Sequence, residues 1–366
     1  MSDGLDDVRL VLPGVRLDAA ERLRGGDRTE VRRVRARWPD GADTSVVVKH
    51  FVTAGEGWAR EAAALATIPA DGAAPRVVAE GTRPPLLVLT DLGAGANVAD
   101  ALLADDPELA GAAVRGWAEA IASLHRATLS SRERFRAELA LRAGDLPIAD
   151  HVMSTAVDEA SGLLENHCAR LGVTVPRGAL TQLRQIPREL RPDEHGALSP
   201  SDACPDDNVR VGDEFCLVDF EGAQWRHIAW DVAYLTVPWP TCWCSWRMPG
   251  DVAERAVERY RATIEDALPY VRTADFRRDV SVAALAWEFV STAWLLPEAL
   301  GDDPPAADPS KQTPTRRAMI LHRLGAARRN EHRPALAALA DQLRGELASR
   351  WGDVPLAYAY AFETRD

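Results

Sequence analysis

Lysine is nearly missing from this chain. Of 43 basic residues among 366, only Lys49 and Lys311 are lysines, and arginine fills every other basic position. Positive charge is also in overall deficit. A formal net charge of −12 argues against nucleic acid or an anionic membrane as a main partner. It suits a neutral or cationic small ligand better, and a single ligand cleft can still be locally positive. No apolar stretch approaches the roughly 18 residues needed to span a bilayer. Met1 to Asp7 is acidic and has no apolar core, so no signal peptide is expected. Five cysteines make an odd set without a disulfide framework, which fits a reducing cytoplasm. Cys242-Trp-Cys244 lacks the spacing of a zinc knuckle, and no matching His/Cys pair follows it. Buried thiols beside tryptophans are therefore the expectation there.

What is present is ordinary for a globular protein, with 46% hydrophobic and 27% charged residues. The length is too great for one simple core and implies two lobes. The pattern changes near residue 92. Before it lie short β-like runs: Val31–Trp38, Thr44–Phe51, Pro75–Ala79 and Leu86–Leu89, with one Ala/Leu-rich helix over Arg60–Ile68. After it helical periodicity dominates, over Val98–Leu103, Leu109–Thr128, Ile148–Leu171, Asp251–Leu268, Thr273–Leu296 and Pro334–Arg350. Strands return only at Val209–Val211 and Phe215–Val218, and Asp302–Pro314 reads as a Pro/Asp-rich loop. There is no internal repeat. The expected architecture is α+β: a β-rich lobe over 1–92 and a large helical lobe over 93–366.

The lysine shortage makes Lys49 informative. It follows Val46-Val47-Val48, an apolar run that reads as a buried strand, where an unpaired ammonium is costly. A compact point charge stands where guanidinium was the default, and the two are not interchangeable at a tight site. A lysine snorkelling from a strand end is the plain alternative. Glu61, in the first turn of the next helix, could be a solvated acid at the helix dipole or the carboxylate that positions Lys49. Gly25-Gly26-Asp27-Arg28-Thr29 reads as a hairpin turn whose glycines allow close backbone approach to a ligand.

The stretch from Leu198 to Tyr234 carries the chemistry. Asp202 sits in a Pro-bounded loop and is followed by Asp206, Asp207 and Asn208. A short hairpin then ends in Asp219-Phe220-Glu221-Gly222. Carboxylates and an amide before a hairpin, with another aspartate after it, form an oxygen set suited to Mg²⁺ once phosphate oxygens complete it. An acidic surface hairpin is the plain alternative, but Asp219 leaves the apolar run Phe215–Val218, and a carboxylate there needs a partner.

In order, these residues resemble the aminoglycoside phosphotransferase family, within the two-lobed protein-kinase-like fold, over most of the chain. The resemblance implies that Lys49 holds the ATP α/β-phosphates and that Glu61 pairs with it. It makes Leu86 to Gly93 the hinge, with Thr90 and Leu92 beside adenine and the Gly25-Gly26 turn near the phosphates. Leu124-His125 looks like the end of the long helix after the hinge. Asp202 falls at the catalytic aspartate, Asp219 at the metal aspartate, and Asp231 at a structural anchor of the catalytic loop. The implied activity is ATP- and Mg²⁺-dependent phosphoryl transfer to a hydroxyl of a small molecule, aminoglycoside-like or a related metabolite. Trp239, Trp243, Trp246, Glu288 and Trp294 are candidates for the acceptor wall, with core packing the alternative for most.

Three departures matter. Pro200 stands where the family has a histidine two residues before the aspartate. The family's asparagine position, five after Asp202, holds Asp207, and Asn208 comes one later, so either could be the second metal ligand. The glycine turn lacks the Gly-x-Gly-x-x-Gly spacing, and no Ala-Pro-Glu segment follows Asp219, which argues against a protein kinase more than against phosphotransfer. The altered loop leaves a second reading, a catalytically impaired pseudokinase that binds nucleotide or a partner.

Overall fold

The computed structural model describes residues 5–25, 28–52, 55–70, 72–148, 152–303 and 313–363. Helix α1 (Asp6–Val11) precedes three strands, β1 (Arg16–Gly25), β2 (Thr29–Arg37) and β3 (Asp43–Phe51). Helix α2 (Glu56–Thr67) and strands β4 (Val77–Thr82) and β5 (Pro85–Thr90) follow. The five strands form one antiparallel sheet in the order β1-β2-β3-β5-β4. Strand β3 is therefore central, and its alternation sends Val46 and Val48 to one face with Leu5, Val8 and Val88. Val47 and Lys49 point to the other face, toward α2. Alanines 59, 62, 63 and 64 are fully buried, and side chains this small let α2 lie close to the sheet.

The rest is mainly helical: α3 (Val98–Leu103), α4 (Pro107–Thr128), α5 (Arg132–Ala143), α6 (Val152–Leu171) and α7 (Ala179–Glu189). Two small antiparallel pairs follow, β6 (Gly196–Ser199) with β9 (Gln224–His227), and β7 (Asn208–Val211) with β8 (Glu214–Leu217). Helices α8 (Ala229–Tyr234), α9 (Gly250–Ile264), α10 (Ala274–Leu300), α11 (Arg316–Ala327) and α12 (Pro334–Trp351) complete the fold. Helix α4 is capped by Asp106, whose Oδ1 accepts from Glu108 and Leu109 N–H, with Pro107 at the first helical position.

Two sequence expectations change here. Helix α10 is long and apolar enough to cross a membrane by composition, with mean hydropathy 1.4 over an 18-residue window, of which 72% is buried in the fold. It is the central core helix of the second lobe, and that role gives it the same composition. Helix α5, absent from the sequence reading, buries only Phe135 and so carries almost no apolar periodicity. Lys311 and most of the Asp302–Pro314 loop lie outside the described residues.

Candidate active site

Strands β1, β2, β3, β5 and β7, helix α2 and the loops around them converge on a cleft of about 700 Å³, lined among others by Val31, Lys49, Leu89, Leu92, Asn208 and Asp219. Lys49 projects into it from the centre of the sheet, paired across to Val31 on one side and Leu87 on the other. Its Nζ donates to Glu61 Oε2 at 2.7 Å and to Asp219 Oδ1 at 2.6 Å. Glu221 Oε2 stands 3.8 Å away, and its Oε1 meets Arg28 at 2.7 Å. Burial opposes the charge on Lys49, but the carboxylates of Glu61 and Asp219 outweigh it and keep the ammonium form above its ordinary range. Burial pushes the Glu61 carboxyl up while Lys49 pulls it back. The pair is thus held by mutual need. Snorkelling does not describe Lys49.

The chain leaves the sheet through a short connector. Asp91, with its side chain 6% exposed, accepts from Arg33 Nε at 2.7 Å, Ser45 Oγ at 2.5 Å and Gly93 N–H at 2.9 Å. Burial acts to raise the Asp91 carboxyl, and these bonds reverse it and leave it below its usual value. Arg33 also donates to the Gly93 carbonyl, and Gly93 has φ +86°, a region glycine enters freely. A Cβ on Gly95 would lie 1.9 Å from the Arg210 carbonyl, so only glycine fits where the connector passes β7. Thr90 N–H is committed to the Arg76 carbonyl and Thr90 Oγ1 accepts from Arg76 N–H, and both Thr90 and Leu92 line the cleft. Gly25 is the last residue of β1, paired with Glu30, and Gly26 lies outside the described residues.

Asp202 follows β6 through Pro200 and Ser201. Ser201 has φ +75° and Asp219 φ +65°, a left-handed backbone that is uncommon for residues other than glycine and recurs at functional sites. The Asp202 Oδ1 atom accepts from Thr241 Oγ1 at 2.7 Å and from Tyr234 Oη at 3.0 Å. Desolvation raises the Asp202 carboxyl above its ordinary value against these two bonds, with Asp219 and Asp206 adding repulsion. Below the loop sits Asp231, fully buried, which accepts from Ser199 Oγ at 2.8 Å and Arg226 Nη2 at 2.5 Å. Its Oδ2 meets His125 Nε2 at 3.1 Å. Arg226 also donates to the Ser201 carbonyl at 2.9 Å, and Ser199 Oγ accepts the Ser201 N–H. The departure at Pro200 is thereby compensated, because Ser199 and Arg226 fasten the loop to Asp231.

The expected metal residues do not all converge. Asn208 and Asp219 line the cleft with Lys49, whereas Asp207 groups with Asp202 and Cys204, their ligand atoms within 4.8 Å of one another. The Asn208 amide is buried; its Nδ2 donates to the Pro205 carbonyl and its Oδ1 accepts from Val98 N–H at 3.1 Å, with one lone pair remaining. Sequence reasoning missed Arg226, Tyr234, Thr241 and Arg33. Their only signal was a polar residue beside an apolar run, which many surface positions share. The cysteine expectation is corrected outright, since Cys204 and Cys242 form a disulfide with Cα atoms 5.8 Å apart. Thirty-eight residues separate them, and the packing of the 239–246 segment onto the Asp202 loop brings them together. Among the wall candidates, Trp239 is fully buried against Trp117 and Trp246 is buried, so both are core. Trp243 is half-buried with its Nε1 on Asp206 Oδ2 at 2.7 Å, and Trp294 is 37% exposed on α10.

No protein-family model and no curated protein sequence matches the chain. Solved structures do. A Plasmodium vivax ethanolamine kinase superposes with TM-score 0.51 at 12% identity, covering 89% of this chain and 84% of that one. A choline/ethanolamine kinase family protein from Mesorhizobium loti gives 0.50 at 17% identity, covering 88% and 93%. An aminoglycoside phosphotransferase, APH(4)-Ia, solved as a thermostable mutant with AMP-PNP and hygromycin B, gives 0.51 at 11%, covering 95% and 99%. The chain has the two-lobed protein-kinase-like fold, with a small β-rich lobe and a large, mainly helical one. At such identities the likeness is one of fold.

Proposed function

We propose that the protein is an ATP-dependent phosphotransferase that transfers the γ-phosphoryl group to a hydroxyl of a small molecule, aminoglycoside-like or a related metabolite. The observation that carries this reading is the contact of one strand lysine with two carboxylates, Glu61 at 2.7 Å and Asp219 at 2.6 Å, inside the cleft. Glu61 orients the ammonium. Asp219 and the ammonium neutralise each other, and the same two groups would face phosphate and metal when nucleotide enters. Asp91 to Gly93, clamped by Arg33, serves as the hinge, with Leu92 beside adenine and Gly25 above the phosphates.

The donor set fits Mg²⁺: Asp219 offers a carboxylate, Asn208 a carbonyl oxygen with one lone pair, and Asp207 a second carboxylate nearby. When bound, Mg²⁺ neutralises charge on the transferring phosphate oxygens. Cleft lining favours Asn208 over Asp207 as the partner of Asp219. Asp202, fixed by Thr241 and Tyr234 on one oxygen, accepts a hydrogen bond from the acceptor hydroxyl and holds it in line. Burial raises its carboxyl above the ordinary value, and orientation outweighs base strength in a loose transition state. The net charge of −12 disfavours nucleic acid and anionic lipid as acceptors. ATP as co-substrate agrees with a cytoplasmic enzyme.

ATP consumption against a panel of hydroxylated small molecules, aminoglycosides and amino alcohols included, tests the proposal, with thermal shift by ATP alone and with Mg²⁺ beside it. Mg²⁺-dependent stabilisation and acceptor-dependent turnover are expected. Stabilisation by ATP with no turnover on any acceptor gives the pseudokinase reading instead, and neither effect removes both.

A further inference from the structure

Three sulfur atoms meet beside Asp202, from two segments without regular secondary structure. Cys204 belongs to the loop between β6 and β7, and Cys242 and Cys244 to the connection between α8 and α9. Cys204 and Cys242 are bonded, and Cys244 Sγ lies 2.7 Å from Cys242 Sγ. A carboxylate closes the group: Asp206 Oδ1 is 3.6 Å from Cys242 Sγ, and the ligand atoms of Cys204, Asp206 and Cys242 all fall within 4.8 Å of one another. All three cysteines are buried. A disulfide uses two sulfurs and leaves a third thiol pressed against the bond beside an acid. The Cys204, Asp206 and Cys242 ligand atoms already lie together and Cys244 Sγ is next to Cys242 Sγ, so the two loops offer three soft donors and one oxygen, the donor types of a structural site for a soft divalent cation. The sequence offered only the Cys242/Cys244 half; the fold supplies the other half from Cys204 and Asp206.

We propose that Cys204, Cys242, Cys244 and Asp206 bind one zinc-class cation once the Cys204–Cys242 bond is reduced. Reduction takes two equivalents of a small-molecule thiol, which give up two electrons and two protons and leave as their own disulfide. The three cysteine thiols then lose their protons as the metal–sulfur bonds form. The cation ties the Asp202 loop to the 239–246 segment. The same segment carries Thr241, which donates to Asp202 at 2.7 Å, and Trp243, which donates to Asp206 at 2.7 Å. The metal therefore acts as a structural clasp next to the acceptor aspartate, bordering the cleft through Asp206 and using none of Asp207, Asn208 and Asp219. Its existence does not depend on the phosphotransferase reading.

The full-length chain, prepared with a thiol reductant and no chelator, is analysed by elemental mass spectrometry without nucleotide or acceptor. One zinc per chain is expected. Anaerobic replacement by Co²⁺ should give the visible bands and thiolate charge-transfer absorption of a tetrahedral sulfur site. Cys244→Ser and Asp206→Asn should each weaken metal binding about tenfold or more, and Cys168→Ser, in α6, should leave it unchanged. Absence of both zinc and the Co²⁺ spectrum in the wild-type chain overturns the proposal, whether or not any variant folds. So does non-reducing peptide mapping that finds the 204–242 bridge intact in the presence of thiol, or metal content indifferent to Cys244→Ser.

Discussion

Arg226 and Asp231, five residues apart and both buried, meet at 2.5 Å, and the same guanidinium holds the Ser201 carbonyl. This joint sets where Asp202 lies. Removing one partner of a buried pair leaves the other charge uncompensated, at roughly 3–5 kcal/mol. Arg226→Leu should therefore lower urea-unfolding stability by that order, and turnover with it, while ATP affinity of the surviving folded fraction changes little. Unchanged stability in this variant would remove Arg226 as the anchor of the loop.

Lys49→Arg should lose at least about tenfold in ATP affinity although the charge is kept, because a planar guanidinium cannot sit between Glu61 and Asp219 as the ammonium does. Isothermal titration with ATP measures it directly. Lys311→Arg is the matched control and should be silent. Wild-type affinity in Lys49→Arg would show that the phosphates are held elsewhere.

Asp219→Asn and Asp202→Asn should separate metal from acceptor chemistry. Loss of the Asp219 carboxylate abolishes the Mg²⁺-dependent part of ATP stabilisation, whereas loss of the Asp202 carboxylate leaves ATP binding intact and slows transfer by about 10²-fold or more. The reverse pattern in thermal shift and turnover would exchange their roles.

Lys49, Glu61 and Asp219, which the fold brings into contact, stood out in the sequence because each lies at the edge of an apolar run, and Asp202 because Pro200 and Pro205 bound its loop. The two-lobed α+β plan was legible for a similar reason, as period-2 runs gave way to helical periodicity near residue 92. What stayed hidden depends on long-range packing. Thr241 reaches Asp202 across 39 residues, and Arg33 reaches Asp91 across 58. Nothing local marks either side chain. Strands β6 and β9 have four residues each, too few for a period to register, and β1 alternates charges instead of apolar residues. The disulfide escaped because cysteine count alone does not reveal that Cys204 and Cys242 share one loop contact.

Asp207→Ala and Asn208→Ala, compared across a Mg²⁺ titration of turnover, should differ. Asn208 lines the cleft and bonds Val98 N–H and the Pro205 carbonyl, so its loss should raise the Mg²⁺ requirement and also lower stability by about 1–3 kcal/mol. Asp207→Ala should leave the Mg²⁺ requirement nearly unchanged. A shifted Mg²⁺ requirement in Asp207→Ala alone would transfer the ligand role to the aspartate, and two unshifted profiles would place the metal away from this loop.

Glu288, in the middle of α10, supplies a test by pH. Burial pushes its carboxyl up to about 8, with Arg323 and Arg329 pulling the other way. The folded chain therefore favours the protonated form more than the unfolded chain does, whose carboxyl titrates near the ordinary value of about 4.3. The native state binds the extra proton across that window, so this group's contribution to stability is fully present below the unfolded value. It is lost as pH rises toward 8. Glu288→Gln keeps the neutral shape and cannot ionise. Its stability relative to wild type should rise by at least about 1 kcal/mol between pH about 5 and about 8.5, read as the difference between urea midpoints. A difference that is flat with pH would mean that Arg323 holds Glu288 ionised throughout, and a difference of the opposite sign would mean that the arginines dominate burial.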